Sequence, residues 1–187
     1  MSACLFFEGI DGAGKSTVAA MLYDYLVSKG VQASLYKEPY HEIPPDSSPL
    51  TQMLFYTASR SWLFEKRIRP DLEQNKIVLV DRSYVSTFVY QCMLGGVDYF
   101  LTVELNRVVL CNTLPEKVKS YIILLDTPPE VAYKRKSEQD LETLKKLRDV
   151  YLKLLSGNAF IINASNDLDI VFNEVKMIVD EIVRETL

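Results

Sequence analysis

The chain has 187 residues, 48% of them apolar, enough for a single domain over residues 1–187 built on one substantial core. Its 21 basic and 25 acidic side chains leave a net charge of -4, which excludes a uniform positive field for a polymeric nucleic acid and leaves room for a small anion held locally. Cys4, Cys92 and Cys111 have neither metal-site spacing nor disulfide density, no basic segment precedes a long apolar run, and no stretch reaches membrane-spanning length, so the expectation is a soluble, cytoplasmic protein with free thiols and no membrane partner.

In chain order, the first apolar run is Cys4 to Phe7, which stops at Glu8. After a glycine-rich turn, Val18, Met21, Leu22, Tyr25 and Leu26 fall on one helix face that ends at Lys29 and Gly30. Ala33 to Tyr36 follows as a second apolar run. Glu38 to Pro49 then holds Pro39, Pro44, Pro45 and Pro49 in a polar stretch that cannot be helix interior. It reads either as a surface excursion or as a substrate-contacting loop, and its His41, the only histidine, reads as an exposed loop residue rather than a catalyst. Ile77 to Val80, Tyr121 to Leu125 and Phe160 to Ile162 complete a set of five runs expected as buried parallel strands. Val171, Val175, Ile178 and Ile182 mark one side of a terminal helix. Strand and helix alternate throughout, which predicts an α/β domain with helices on both faces of a five-stranded parallel sheet.

Gly9-Ile10-Asp11-Gly12-Ala13-Gly14-Lys15-Ser16 has Walker A spacing and lies between a strand and an amphipathic helix, as a P-loop NTPase requires. The glycines let backbone N–H groups turn inward around phosphates, and the following helix adds the positive end of its dipole. Lys15 can reach the terminal phosphates of ATP, and Ser16 can ligate Mg2+. The loop also needs a carboxylate at a neighbouring strand end, and Asp81 and Asp126 both qualify. Asp81 is favoured because Arg82 follows it and can neutralise phosphate charge during transfer; Asp126 is left to cap the next helix or to support the site.

Among P-loop proteins, a GTPase needs Asn-Lys-x-Asp, and Asn75-Lys76-Ile77-Val78 lacks the aspartate. A nucleic-acid motor needs a larger, basic chain. A small kinase acting on a monophosphate fits better, because that acceptor oxygen is already largely anionic at neutral pH and no placed base is required. Positioning, Mg2+, Lys15 and arginines then carry the transfer.

Phe7 to Thr17, Glu38-Pro39, Leu54-Phe55-Tyr56-Thr57-Ala58-Ser59-Arg60, Ile68-Arg69-Pro70-Asp71-Leu72, Val80-Asp81-Arg82-Ser83-Tyr84-Val85-Ser86-Thr87 with Tyr90-Gln91, and Leu124 to Ala132 stand in the order and near the spacing of the thymidylate kinase family, which the chain resembles over nearly its whole length. The resemblance implies ATP-dependent phosphorylation of dTMP to dTDP by a homodimer. It implies that Asp11 bonds the sugar 3′-hydroxyl, that Arg82 contacts the monophosphate beside the Mg2+ site at Ser16 and Asp81, and that Arg60 bonds the thymine edge. Tyr56 stands where a ring stacks on the base, Ser86 and Gln91 match positions near the base, and Tyr90 one near the sugar. Glu38 belongs to the same acceptor set, and Gly9, Asp11, Gly12, Ala13, Gly14, Lys15, Ser16 and Thr17 form the donor set. Without the resemblance, Tyr56 and Tyr90 read equally as core aromatics and Arg60 as a surface charge.

The chain departs from the family pattern at Lys37, which replaces an arginine, at Tyr40-His41, at Ser83 and at Cys92. Its lid, about 133–141, is short, with Lys134, Arg135 and Lys136 as its basic cluster. Arg135 is the choice for the residue that closes over the transferring phosphate, Arg148 the second choice, and a solvated helix face the alternative. Asn163-Ala164-Ser165 resembles the loop that borders adenine. A deoxynucleoside kinase, suggested by Asp81-Arg82-Ser83, and a nucleotide-dependent switch are the rival readings.

Overall fold

The structure is a computed structural model and describes residues 2–44, 46–115 and 117–186. Its elements in chain order are β1 (Ala3–Glu8), α1 (Lys15–Ser28), β2 (Ala33–Lys37), α2 (Pro49–Leu63), α3 (Arg69–Glu73), β3 (Ile77–Asp81), α4 (Tyr84–Thr87), α5 (Tyr99–Thr113), β4 (Lys119–Asp126), α6 (Pro129–Arg135), α7 (Leu141–Leu155), β5 (Phe160–Asn163) and α8 (Leu168–Thr186). Wider π-helical turns, Phe64–Ile68 and Phe88–Leu94, extend α2 into α3 and continue α4. Pro45, which the sequence places in the proline-rich loop, lies outside the described residues.

The five strands form one parallel sheet in the order β2-β3-β1-β4-β5. Alternate residues of a strand face opposite sides, and β1 divides its apolar payload accordingly. Ala3, Leu5 and Phe7 join α1, α7 and α8 in one core, while Cys4 and Phe6 join Leu63, Phe64, Ile68 and Leu72 in the other. The five strands stand where the apolar runs place them, but two of them are not buried. β2 and β5 are the sheet edges, so β2 is half-buried and β5 buries Ile162 while Phe160, Ile161 and Asn163 stay exposed. The apolar content of those runs reports only that one face is covered.

α1 buries Val18, Ala19, Leu22 and Leu26, and Gly30 leaves it at a φ of 77°. α8 buries Val171, Val175, Val179 and Ile182, with Ile178 only partly covered, so the buried stripe includes one residue the simple spacing omits. Pro49 is the first residue of α2, where its missing N–H costs nothing, and the Ser48 hydroxyl accepts the Thr51 N–H to cap it. The strands are parallel, so the carboxyl ends of β1, β3 and β4 lie along one end of the sheet, and the chain passes from β1 over β3 to β2 but from β3 over β1 to β4, which puts the reversal of strand order there.

Candidate active site

The loop after β1 has its shape because two glycines leave no space for a side chain. Gly9 has a φ of 141°, and a Cβ there would lie 2.7 Å from the Leu125 carbonyl oxygen; at Gly12, with φ 83°, a Cβ would strike the Ala132 carbonyl. Backbone from β4 and α6 thus braces the loop from behind. Lys15 begins α1 and folds over the loop, its Nζ donating to the Gly9 and Ile10 carbonyls at 2.9 and 2.8 Å. Burial, then the Arg82 charge, pushes its pKa down to about 7, with Asp11 and Asp81 opposing. At neutral pH the folded loop therefore holds Lys15 only partly charged.

Gly12, Gly14, Lys15, Ser16 and Thr17 line a cleft of about 300 Å³ with Asp11, Asp81 and Arg82 opposite. Gly9 and Ala13 support it from below, Ala13 through an N–H bond to the Ile10 carbonyl. The Ser16 hydroxyl donates to Asp81 Oδ2 at 2.5 Å, whereas Asp81 Oδ1 is buried without a partner among the described residues. A hydroxyl and a carboxylate with one unsatisfied oxygen suit a hard divalent cation, and no cluster of three His, Cys, Asp or Glu offers another cage among the described residues. Asp126 is differently engaged: its two oxygens accept from Arg148 Nε and Nη2 at 2.6 and 2.9 Å. Paired with each other, neither the second carboxylate nor the second-choice lid arginine lines the phosphate cleft.

Arg82 sits just past β3 with a φ of 75°, a left-handed conformation that a residue with a Cβ adopts at a cost of about 1–3 kcal/mol. The bend aims its guanidinium along the crevice. One terminal nitrogen pairs with Asp11, the other donates to the Ser86 hydroxyl at 3.0 Å, and the group stacks 5.4 Å from the Tyr90 ring centre. Tyr90 in turn donates to Asp11 Oδ2 at 3.0 Å. Burial pushes Asp11 upward, but Arg82 and Lys15 outweigh it and hold the group below the ordinary carboxylate range. Asp11 and Arg82 line the phosphate cleft and also a second cavity of about 360 Å³.

That second cavity brings together the acceptor residues expected from the sequence: Glu38, Tyr56, Arg60, Ser86, Tyr90 and Gln91. Arg60 is no surface charge, being 2% exposed. Its Nε donates to both oxygens of Glu38, its Nη1 to Asn106 Oδ1 at 2.6 Å and its Nη2 to the Thr87 hydroxyl at 2.8 Å. Burial raises the pKa of Glu38, and Arg60 pulls it back. Tyr56 is half-buried on the wall, and Gln91 Nε2 donates to Gln52 Oε1 at 3.1 Å. Ser86 is held from beneath by Glu8, whose carboxylate also accepts from Ser83 at 2.7 Å and Tyr151 at 3.0 Å.

Gln52, Asn106 and Tyr151 are the residues that sequence reasoning does not reach, and Glu8 and Thr87, though inside quoted motifs, are given no role there. Glu8 leaves one trace, a charge closing an otherwise apolar strand. Gln52, Asn106 and Tyr151 come from α2, α5 and α7, and nothing in their local sequence distinguishes them. Of the basic lid cluster, Arg135 and Lys136 line the phosphate cleft, and Arg135 Nη1 donates to the Ala164 carbonyl at 3.1 Å. Ala164, with Ala13, Gly14, Thr17, Asn166 and Val171, lines a smaller apolar recess beside the loop. Within the 133–141 segment, Tyr133 to Arg135 finish α6 and Leu141 starts α7, which leaves 136–140 as the connection. His41 is exposed, packed edge-on against Trp62 at 4.8 Å and bonded to the Ser59 hydroxyl.

The strand order, the glycine loop and two anion-sized spaces that meet at Asp11 and Arg82 define a P-loop kinase of small nucleotides. The comparisons narrow the class. A family model described as thymidylate kinase matches residues 45–175. The chain is 34% identical over 169 residues to "Thymidylate kinase" of Thermoanaerobacter sp. (strain X514), covering 80% of this chain and 81% of that one. It is 32% identical over 203 residues to "Thymidylate kinase" of Mycoplasmoides gallisepticum (strain R(low / passage 15 / clone 2)), covering 96% and 95%. The crystal structure of thymidylate kinase from Ehrlichia chaffeensis superimposes with a TM-score of 0.78 at 27% identity, covering 95% of this chain and 98% of that one. The chain belongs to the thymidylate kinase family.

Proposed function

We propose that the protein transfers the γ-phosphoryl group of ATP to dTMP, giving dTDP and ADP. The observation that carries this reading is the shared wall: Asp11 and Arg82 border both the glycine-loop cleft and the acceptor cavity, so two bound anions meet at one guanidinium. Arg82 is positioned to screen the charge between them, and Lys15 leaves the loop carbonyls for the donor's terminal phosphates. The orphaned Asp81 Oδ1 and the Ser16 hydroxyl would hold Mg2+, which supplies neutralisation of phosphate charge when bound. Arg135 reaches toward the same cleft from α6 and serves as the lid cation, and the recess at Ala164 suits the adenine ring.

In the acceptor cavity Tyr56 offers its ring face to the base, while Gln91, Ser86 and Arg60 supply polar edges. The remaining N–H of Arg60 Nη1 is the one its three protein partners leave for a base carbonyl. A rival, phosphorylation of a nucleoside 5′-hydroxyl, needs a carboxylate free to take a proton. Glu38 is instead gripped by Arg60, its Oε2 lying 2.6 Å from Nη2. The three cysteines are free, and no described helix is long and apolar enough to cross a membrane, which supports a cytoplasmic site of action. Exposed Leu50, Leu54 and Phe55 on α2 supply an apolar face for a homodimer, which sedimentation of the protein tests.

The decisive experiment is ATP consumption with a panel of nucleosides and monophosphates. The expected result is Mg2+-dependent turnover with dTMP. Turnover with thymidine but not dTMP would transfer the assignment to a nucleoside kinase, and nucleotide binding without any acceptor-dependent turnover would favour a switch.

A further inference from the structure

Four carboxylates are buried among the described residues, and three of them have a plain reason to be charged. Glu38 pairs with Arg60, Asp71 pairs with Lys76, and Asp81 accepts the Ser16 hydroxyl at the cation position. Glu8 is the fourth. It is 0% exposed at the end of the central strand β1, makes no ion pair among the described residues, and lines neither the phosphate cleft nor the acceptor cavity. Its partners are all neutral: Oε1 accepts from the Ser83 hydroxyl at 2.7 Å and the Ser86 N–H at 3.3 Å, and Oε2 from the hydroxyls of Ser86 at 2.7 Å and Tyr151 at 3.0 Å.

A neutral acceptor would satisfy such donors equally well, and a desolvated charge is costly. A role as a hydrogen-bond hub therefore explains the contacts but not the charge. What only the charge can do is oppose a cation, and the Ser86 hydroxyl leads to one. A serine hydroxyl has a single proton, and a carboxylate cannot donate. That proton therefore goes to Glu8 Oε2, which leaves the lone pairs of Oγ to Arg82 Nη1, donating to them at 3.0 Å. Asp11 holds the other terminal nitrogen of the same guanidinium. Arg82 is thus tied to two carboxylates, directly to one and through a hydroxyl to the other, and the second tie lies outside both nucleotide spaces. We propose that Glu8 is a positioning residue for the transfer step: through Ser86 it fixes the Arg82 guanidinium at the junction of donor and acceptor, so that the remaining N–H groups meet the transferring phosphate without reorienting. The inference rests on the kinase reading above and deepens it.

The test is Glu8→Gln, which keeps the shape and removes the charge, measured alone and combined with Ser86→Ala. Arg82 screens charge that is greatest during transfer, so kcat with ATP and dTMP should fall by about 10-fold while the KM for ATP stays within about twofold of the parent. In the Ser86→Ala background the link is already cut, and Glu8→Gln should lower kcat by less than about twofold further. A hub that is merely structural predicts a lowered Tm with kcat unmoved, or equal kcat losses in the two backgrounds. Either result would overturn the inference, as would a KM for ATP that rises in step with the fall in kcat. Should Glu8→Gln not fold, the intermediary decides: Ser86→Ala should lower kcat by about 10-fold and Ser86→Thr, which keeps the hydroxyl, should recover most of it, and equal values in the two would overturn the inference. A parent protein with no turnover on dTMP refutes the kinase reading itself, an outcome visible before any variant is made.

Discussion

The two halves of the crevice are built on opposite plans. The donor side is one contiguous segment, Gly9 to Thr17, whose binding groups are main-chain N–H and whose shape is enforced by backbone behind it, the Leu125 and Ala132 carbonyls. The acceptor side is an assembly of side chains from β1, the loop after β2, α2, α4, α5 and α7 that saturate one another: Arg60 with Glu38, Asn106 and Thr87, and Ser86 with Glu8 and Tyr151. The first plan leaves its charges waiting for a ligand, with Lys15 near neutrality and Asp81 half-satisfied. The second leaves almost none waiting. A pyrophosphate supplies the charge that completes the donor side, whereas a neutral base must be recognised by groups whose own charges are already compensated, since an unpaired buried charge beside it would be prohibitive.

If this contrast is right, the largest effect should come from opening the acceptor network. Arg60→Ala leaves Glu38 buried without its counter-ion, and stability should fall by about 3–5 kcal/mol, read as a large drop in Tm or in the denaturant midpoint. A variant as stable as the parent would show that the network is not what organises this side. Lys15→Ala should behave in the opposite way. The Tm should hold or rise, since a desolvated ammonium is removed, while kcat with ATP and dTMP falls by about 10²–10³-fold.

The same lysine sharpens the comparison through pH. Its pKa is about 7 in the free protein and 10.5 ordinarily, so between those values the unfolded chain holds a proton that the folded one lacks. The penalty is full below pH 7 and lifts as pH rises, so this group makes stability increase with pH over that window. Donor phosphates restore the charge. ATP binding should take up a proton above pH 7 and weaken by up to about tenfold per pH unit, seen by calorimetry in buffers of different ionisation heat and absent in Lys15→Met. The smallest effect belongs to Tyr56→Phe. The Tyr56 hydroxyl makes no hydrogen bond among the described residues, so removal should change the KM for dTMP by less than about twofold, with kcat unmoved.

These differences also separate what was readable from what was not. The glycine loop, Lys15, Ser16 and the Asp81-Arg82 pair were legible because a backbone anion nest must be contiguous, and because the carboxylate it needs closes a neighbouring strand. The five strands were legible from their apolar runs, but which of them are edges was not, since Ala33 to Tyr36 and Phe160 to Ile162 look as apolar as the central ones. Arg60 had a residue signature but no environment: composition alone made it a surface charge, and the fold buried it. Asp126 and Arg148 could be read from the sequence only one at a time, and only the fold shows that they pair with each other at 2.6 Å.

The sequence by itself determined the α/β alternation and the phosphate loop, because each is specified by neighbours along the chain: periodicity, glycine placement, and a helix that starts at Lys15. Tertiary structure alone decided the acceptor cavity and the Glu8 and Arg60 networks. Those contacts join residues as far apart as Glu8 and Tyr151, and a hydrogen bond between side chains leaves no mark on the local pattern of either partner.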